Sequence, residues 1–244
     1  MHPPLNNKDV HLWRVDLWAR DIIIDGLHSI LSEKECGRAK NFKFDNDRVK
    51  YVVAHGALRH ILADYLNVDP FQLDFYAGPY GKPELVLTDS RPLKFNLSHS
   101  HEAALIAVTI GREIGVDIEY IKPEFKWQDI AERFFAPGEV QRLRALRPEQ
   151  QRRGFFDCWT RKEAYIKGKG GGLTIPLQDF EVSLAPDERA ALRSHKEDPD
   201  EIKRWVLSEI DVGPDYAAAV AVEGHDWQLK FFNWQGQSSQ ARRT

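Results

Sequence analysis

The chain has 244 residues, of which 42% are hydrophobic and 29% charged, so it is long enough for one large or two small packed domains. Its formal net charge of −3, without a basic tail or run, disfavours nucleic acid and anionic membranes as partners. No apolar stretch approaches the ~20 residues that span a bilayer, and no signal-peptide pattern is visible. We therefore expect a cytoplasmic protein in which Cys36 and Cys158 are reduced, structural thiols.

Strand and helix patterns alternate in the first half of the chain. The stretch "VHLWRVDLW" predicts a strand, and residues 30–66 carry a mostly helical pattern with Ser32 as N-cap. Two short strands are predicted around the Gly and Pro residues of "FQLDFYAGPYGKPELV". "LKFNLSHS" predicts another strand, and the Val, Ile and Thr of "EAALIAVTI" favour a strand over a helix there.

The second half also combines one long helical region with strands. "EIGVDIEYI" predicts a strand, and residues 127–168 predict helices that are interrupted at Pro137 and Pro148. The remaining patterns predict strands: "LTIPLQDFEVSL", "RWVLSEIDV", "YAAAVAVEG" and "WQLKFFNW".

The two halves echo each other weakly. An offset of 104 residues places Glu35 on Glu139, Arg48 on Arg152 and Tyr51 on Phe155. This match could reflect a duplicated α+β unit, or only the periodicity that all amphipathic helices share. A duplication would place a site between the halves, where pockets often form.

The "GVDIE" strand is the first candidate site. Because side chains alternate along a strand, Asp117 and Glu119 share one face, whereas Val116, Ile118 and Tyr120 take the other. The commoner interpretation is a solvent-facing strand. The alternative is a Mg²⁺ site, since Mg²⁺ binds one or two carboxylates together with waters and substrate phosphates.

The stretch "WTRKEAYIKGKGGGL" is the second candidate. Its order is wrong for a P-loop, in which the glycines precede the lysine and the helix. Glu163 and Lys167 lie four residues apart and therefore share a helix face, which could mean only a helical ion pair. Glu163 could also supply a third oxygen ligand, with Lys162 and Lys167 binding phosphate oxygens.

The third candidate is "FNLSHSH". His99 and His101 are spaced so that they could bind a transition metal, but no Cys or further His has matching spacing. Ser98 and His99 could instead donate hydrogen bonds to an anion. The simplest interpretation of this motif alone is a polar strand end.

Five segments occur in order between Gly81 and Leu173, namely "GKPEL", "FNLSHS", "GVDIE", "RFFAPGE" and "WTRKEAYIKGKGGGL". Together they resemble the 4'-phosphopantetheinyl transferases of the surfactin-synthetase-associated type. The pattern W-x-x-K-E-A-x-x-K-x-x-G-x-G-L fits residue for residue from Trp159 to Leu173. The helix from Arg38 to Arg59 and the closing strands also fit, so the resemblance covers nearly the whole chain.

The resemblance implies an α+β fold, a pseudo-dimer of two similar α/β halves with the site at their interface. We expect the halves to be residues 1–112 and 113–244, the second carrying the metal-binding motifs. Enzymes of this family transfer the phosphopantetheine arm of coenzyme A to a serine of an apo carrier protein and release adenosine 3',5'-bisphosphate. The chain length fits the larger, monomeric type with broad specificity.

The resemblance also assigns roles to individual residues. Asp117, Glu119 and Glu163 match the ligands of Mg²⁺, for which Mn²⁺ could substitute, and water would fill the remaining positions. The residues expected at coenzyme A, the co-substrate, are Arg38, Lys50, Lys82, Ser98, His99, Lys162 and Lys167. Arg is more usual at position 50. Residues Lys122 to Val140 match the region that docks an acyl, peptidyl or aryl carrier protein.

The expected chemistry is phosphoryl transfer, in which catalysis is mainly positioning and charge neutralisation. Catalytic roles fall to Asp117, Lys167 and Glu163, and either Glu163 or a water that it holds would take the serine proton. Two alternatives stay open at this point. One is a non-catalytic coenzyme A or carrier-protein binding module, and the other is a Mg²⁺-dependent nucleotide hydrolase.

Overall fold

The structure is a computed structural model that describes residues 4–18, 21–86, 92–186 and 188–236. The helices are α1 (Asp21–Ser29), α2 (Glu33–Lys40), α3 (Asp45–Leu66), α4 (Gln128–Phe134), α5 (Pro137–Ala145), α6 (Pro148–Lys169) and α7 (Glu201–Arg204). The strands are β1 (Asp9–Asp16), β2 (Phe75–Ala77), β3 (Pro83–Leu85), β4 (Leu93–Ser100), β5 (Ala103–Ile110), β6 (Ile114–Tyr120), β7 (Phe180–Val182), β8 (Leu192–His195), β9 (Trp205–Glu209), β10 (Tyr216–Glu223) and β11 (Gln228–Trp234). Within these ranges, no helix is both long and apolar enough to cross a bilayer.

Two main sheets form the frame of the mixed α/β fold. The first has the order β11-β1-β5-β4 and the second the order β6-β10-β9. β11 pairs in parallel with β1, so the last described strand lies in the sheet that is otherwise built from the first half of the chain. The predicted boundary between residues 112 and 113 falls where the chain passes from β5 to β6, that is, from one sheet to the other.

Three hydrophobic clusters arrange these sheets and helices in layers. One cluster packs α3 against the first sheet, a second packs α6 against the second sheet, and a third lies between the two sheets. β5 contributes alternate residues to two of these clusters, for example Ile106 to the first and Leu105 to the one between the sheets. This double burial explains the continuous apolar run of β5, and the predicted strand there is confirmed.

The long helices α3 and α6 begin and end by local rules. Each is 22 residues long, and each ends at a left-handed residue, Asn67 with φ 53° and Gly170 with φ 72°. The two prolines that interrupt the second helical pattern are the first residues of α5 and α6, a position where the missing N–H costs nothing. Ser32 is the N-cap of α2, as predicted, and forms a capping box with Glu35.

A glutamate joins two helices in each half of the chain. In the first half, the Glu35 carboxylate accepts hydrogen bonds from Arg59 of α3 (2.6 and 2.9 Å), whose guanidinium also donates to the carbonyls of Pro70 and Leu73. We call this arrangement the first glutamate clamp.

The second half repeats the arrangement. The Glu139 carboxylate pairs with Lys162 of α6 at 2.8 Å, and this ammonium donates to the carbonyls of Leu177 and Phe180. At the start of its helix, Glu139 accepts a hydrogen bond from the backbone nitrogen of Ala136 at 2.9 Å, as Glu35 does from that of Ser32. This second glutamate clamp lies at nearly the same offset as the match seen in the sequence.

Some predicted elements differ from the structure. The strand predicted over "LTIPLQDFEVSL" is confined to β7, and 3-10 turns at Gly172–Thr174 and Leu177–Asp179 precede it. Pro176 cannot donate to a sheet, and the carbonyl of Leu177 is bound by Lys162, so the chain turns instead of extending. Both cysteines are free, as expected, with Cys158 buried and Cys36 half-buried.

Candidate active site

The site is built on the edge strand β6 of the second sheet. Val116 and Ile118 are buried between the two sheets, so Asp117 and Glu119 occupy the opposite face, which α6 covers. This is the alternation that the sequence predicts, but the face is not open to solvent as in the simpler interpretation, because Asp117 is only 2% exposed. A carboxylate held in such surroundings needs a cation or a proton nearby.

Glycine lets α6 lie directly on this strand. A Cβ atom built on Gly115 would lie 2.1 Å from the carbonyl oxygen of Ala164 and 2.2 Å from the nitrogen of Gly168. No side chain fits at that distance, so the helix and strand touch backbone to backbone. This close approach brings the helix face that carries Glu163 and Lys167 down onto Asp117.

Ser98, Asp117 and Lys167 form a hydrogen-bonded triangle across three elements. The hydroxyl of Ser98 on β4 donates to Asp117 Oδ1 at 2.8 Å, and Lys167 Nζ lies 2.5 Å from the same oxygen and 3.0 Å from the hydroxyl. Burial alone would lower the pKa of Lys167, but the charge and hydrogen bond of Asp117 outweigh it and raise that pKa. The other oxygen, Asp117 Oδ2, is buried and has no hydrogen-bond partner.

The two further carboxylates are held close to this triangle. Burial, with the added repulsion of Asp117, raises the pKa of Glu119, although a 2.8 Å hydrogen bond from Ser100 opposes the rise. Burial and then Asp117 also raise the pKa of Glu163 to about 7, while Lys167 opposes the rise. The shifts indicate that Asp117, Glu119 and Glu163 interact through a common, poorly solvated space.

Basic side chains extend from this triangle into the first half of the chain. A pocket of about 650 Å³ is lined by Arg38, Tyr51, His55 and His99, among others. His99 is accessible to solvent at this pocket, and partial desolvation followed by the positive charges of His55, Lys167, Arg38 and Lys50 lowers its pKa. Glu33, Glu35 and Asp74 also line this pocket, so its positive charge is concentrated around His99, and that end suits a phosphate group while the aromatic rings suit a nucleoside.

A smaller pocket of about 220 Å³ adjoins the first, sharing Asn96 and Leu97 with it. Lys82 and Lys167 lie on its walls with Gly170 and Gly172, both of which have positive φ. Lys82 Nζ donates to the carbonyls of Ile114 and Gly168 and pairs with Glu113 at 3.2 Å, so it also ties the two halves together.

Lys162 is a predicted site residue that the structure places away from the site. It is completely buried in the core of the second half, and its ammonium is occupied by Glu139 and by two carbonyls of the second glutamate clamp. Adjacent helix residues point about 100° apart, so Lys162 turns away from the site when Glu163 faces it. The expectation that Lys162 binds coenzyme A is therefore wrong.

The sequence interpretation also missed residues that the structure brings to the site. His55 bonds Glu35 through Nδ1 and stacks on Tyr51 with ring centroids 4.0 Å apart, in the wall of the larger pocket. Ser100 bonds Glu119, one step beyond Ser98 on the same strand face. The period of two in "FNLSHS" could have revealed Ser100, whereas nothing in the local pattern marks His55.

The oxygen donors fit a hard divalent cation whose remaining ligands come from water and the substrate. In the described ranges, no three or more His, Cys, Asp or Glu side chains form a ready-made metal cage. Mg²⁺ does not need such a cage, because it commonly uses one or two carboxylates plus water and substrate phosphate. The buried, unpartnered Asp117 Oδ2 and the mutual repulsion of the carboxylates are what such a cation would relieve.

Comparison with known proteins agrees with this geometry. A family model described as the 4'-phosphopantetheinyl transferase superfamily matches residues 113–221. The 4'-phosphopantetheinyl transferase HetI of Nostoc is 40% identical over 233 residues, which cover 94% of both chains. A Bacillus subtilis 4'-phosphopantetheinyl transferase is 32% identical over 83% of this chain and 87% of its own, and Sfp of Bacillus subtilis strain 168 is 29% identical over 82% and 85%.

A relative of this identity and coverage, together with the family match over the site-bearing half, confirms the predicted class of enzyme. The chain therefore belongs to the 4'-phosphopantetheinyl transferase superfamily.

Proposed function

We propose that this protein transfers the 4'-phosphopantetheine arm of coenzyme A to a serine of an apo carrier protein, with Mg²⁺ as cofactor. The observation that carries the proposal is the hydrogen-bonded triangle of Ser98, Asp117 and Lys167, set beside two further carboxylates and two pockets that carry basic side chains. This arrangement holds positive charge where a pyrophosphate would lie and leaves oxygen ligands free for a cation. The named relatives support transfer over a binding module or a nucleotide hydrolase.

Each group of residues has a distinct task in this proposal. Arg38 and His99 would bind the 3'-phosphate and nucleotide end in the larger pocket, and Lys50, whose charge acts on His99, would assist them. Lys82, on the wall of the smaller pocket, would lie near the nucleotide. Lys167 would move from Asp117 to the pyrophosphate as it enters. Compact ammonium groups of this kind bind phosphate oxygens as point charges.

The carboxylates would hold the cation and the attacking serine. Asp117, Glu119 and Glu163 would bind Mg²⁺, which would neutralise charge on the pyrophosphate and on the leaving bisphosphate. Glu163 would also take the serine proton, either directly or through a water that it orients, because it faces the same space as Asp117 and Lys167. The hydroxyl of the carrier would then attack the phosphorus of the pantetheine arm as the bisphosphate leaves.

The carrier protein would dock beside this site on residues 122–140. This segment includes exposed side chains such as Lys122 and Lys126 and the whole of α4, and it follows directly on the strand with the carboxylates. The cytoplasmic location and the monomeric state belong to the same proposal. So does the internal duplication with halves 1–112 and 113–244, which the two glutamate clamps support.

Intact-mass spectrometry of several apo carrier proteins tests the proposal. Incubation with this protein, coenzyme A and Mg²⁺ should add one phosphopantetheine to the carrier, and EDTA should prevent it. Coenzyme A consumed without carrier modification would favour the hydrolase, and tight coenzyme A binding without modification would favour the binding module.

A matched pair of variants tests the site. Asp117→Ala should abolish transfer while keeping a cooperative thermal transition. Glu149→Gln removes a carboxylate from α6 that is 66% exposed, far along the helix from Glu163, and should keep wild-type activity. A folded Asp117→Ala protein with full activity would overturn the assignment.

A further inference from the structure

The two sheets meet at one edge without a backbone ladder. β4 is the edge of the first sheet and β6 the edge of the second, and neither pairs with the other by strand hydrogen bonds. Instead, alternate side chains of β4 reach across to β6. We call this line of contacts the seam; on the β4 side it consists of Asn96, Ser98 and Ser100.

Each seam residue has a different target on β6. Asn96 accepts a hydrogen bond from the backbone nitrogen of Val116 at 2.8 Å, which satisfies an edge-strand donor. Ser98 donates to Asp117, and Ser100 donates to Glu119 Oε2 at 2.8 Å. The first half of the chain thus contacts both carboxylates that the second half presents from its edge strand.

The geometry of Ser100 fixes the direction of its hydroxyl proton. The backbone nitrogen of Tyr120 donates to Ser100 Oγ at 3.1 Å, which uses the oxygen as an acceptor and leaves its proton for Glu119 Oε2. Among the described residues, no other side chain or backbone donor binds the Glu119 carboxylate. Its second oxygen is therefore directed by this one bond and by the strand that carries it.

The turn after Ser100 also contacts the second half of the chain, and these contacts hold the Ser100 hydroxyl in place. His101 adopts φ 55°, an unusual conformation for a residue with a side chain, and its ring stacks on Tyr120 with centroids 4.4 Å apart. The backbone nitrogen of Glu102 donates to the Tyr216 hydroxyl at 3.3 Å. Contacts on both sides of the Ser100–Glu119 bond thus hold the two partners in one arrangement.

We infer that Ser100 is a positioning residue that orients the Glu119 carboxylate toward a divalent cation shared with Asp117. The inference rests on the proposed function, because it requires the cation site. It assigns a metal-related task to a side chain outside the residues proposed to bind coenzyme A and the carrier. Hydrogen bonds that orient a metal ligand change metal affinity by about 10-fold to 100-fold when they are removed.

Direct Mn²⁺ binding to the full-length protein tests the inference, with Mn²⁺ as the paramagnetic probe and electron paramagnetic resonance as the readout. Titrations with and without coenzyme A separate the protein ligands from those of the pyrophosphate. Ser100→Ala should weaken Mn²⁺ binding by about 10-fold or more. Ser100→Thr keeps the hydroxyl and should restore most of the affinity. Ser29→Ala, which removes an exposed hydroxyl on α1, should change nothing.

Kinetics supply a second readout that a purely structural role would not move. In the Ser100→Ala protein, the Mg²⁺ concentration for half-maximal transfer should rise by the same factor, while the rate at saturating Mg²⁺ and the KM for coenzyme A stay near wild type. Ser100→Cys fills the space with a weak donor and repeats the test if the alanine variant does not fold.

The outcomes distinguish this inference from the function on which it rests. Wild-type Mn²⁺ affinity in a folded Ser100→Ala or Ser100→Cys protein would overturn the role of Ser100 and leave the metal site standing. A wild-type protein that binds no Mn²⁺, with or without coenzyme A, would overturn the metal assignment and the inference together.

Discussion

Replacing Lys162 by methionine tests whether this lysine has a structural role or binds a ligand. The Lys162 ammonium lies 2.8 Å from Glu139 Oε2, 2.7 Å from the carbonyl of Leu177 and 2.6 Å from that of Phe180, with no exposure to solvent. Methionine has nearly the same length and shape but no charge. The substitution therefore leaves a fully buried glutamate and two carbonyls without their common donor.

The expected loss of stability is large. Removing one partner of a buried ion pair costs about 3–5 kcal/mol, because the other charge stays buried. For a chain of this size each kcal/mol lowers Tm by about 2–4 °C, which gives a fall of roughly 6–20 °C. Lys203→Met is the matched control. Lys203 pairs with Asp200 on the surface, where both side chains are exposed and such pairs contribute ~0–1 kcal/mol.

Thermal unfolding followed by circular dichroism, together with calorimetric titration of coenzyme A well below Tm, provides the test. Lys162→Met should melt early and yet bind coenzyme A with wild-type affinity. Adding Glu139→Gln should recover part of the stability, because a neutral amide removes the stranded charge. The recovery is only partial, because the amide nitrogen replaces an oxygen that accepts from the backbone nitrogen of Ala136 or Val182. An unchanged Tm with a loss of coenzyme A affinity would refute the reasoning and return Lys162 to the active site.

Three further outcomes follow from the same contacts. Lys167→Gln should tighten Mn²⁺ binding in the absence of coenzyme A, because no ammonium then competes for Asp117, and it should also reduce transfer; weaker metal binding would contradict this. Burial raises the pKa of Glu35, but hydrogen bonds from His55, Arg59 and Ser32 outweigh it and lower it from 4.5 to about 2. Ionisation of Glu35 thus stabilises the fold above pH 4.5 by about 3 kcal/mol, and this stabilisation is lost as the pH falls toward 2. Urea denaturation should show the loss in wild type and not in Glu35→Gln. Equal pH profiles of the two proteins would contradict it. Gly115→Ala should displace α6 and abolish activity, whereas Gly26→Ala, with no atom within 4 Å of the new methyl group, should be neutral or stabilise α1, as melting and transfer assays would show.

Much of the fold could be predicted because local rules and tertiary structure agree. The alternation in β6 gave the correct faces for Asp117 and Glu119, and Ser32 and the prolines before α5 and α6 mark the helix starts. These signals depend on strand period, capping and proline geometry, which act over a few residues. The packing of α6 on β6 through Gly115 depends on two segments about fifty residues apart, so the local pattern carries no trace of it.

The wrong prediction for Lys162 shows that a sequence motif does not specify the direction in which each of its side chains points. The motif places Lys162, Glu163 and Lys167 together, but a helix sends neighbouring residues in different directions. Phe155 and Ile166 lie in the apolar stripe that packs into the core of the second half, and Lys162 falls on that stripe by helical spacing. The charge of Lys162 suggested a site residue, whereas the helical periodicity of its neighbours would have placed it in the core.

The two glutamate clamps show how a repeated device can take on different surroundings. In both halves a glutamate at the start of one helix holds a cation from the longest helix, and the cation binds two carbonyls of the chain that follows. Glu139 is completely buried, so its clamp can act only on packing. Glu35 also lines the larger pocket and bonds His55 there, so the same device forms a wall of the proposed nucleotide site. If the halves arose by duplication, the seam and this wall are where they diverged, because the first half contributes Ser98, Ser100 and the basic pocket while the second contributes the carboxylates. Neither half holds the complete set, and the proposed reaction therefore requires both.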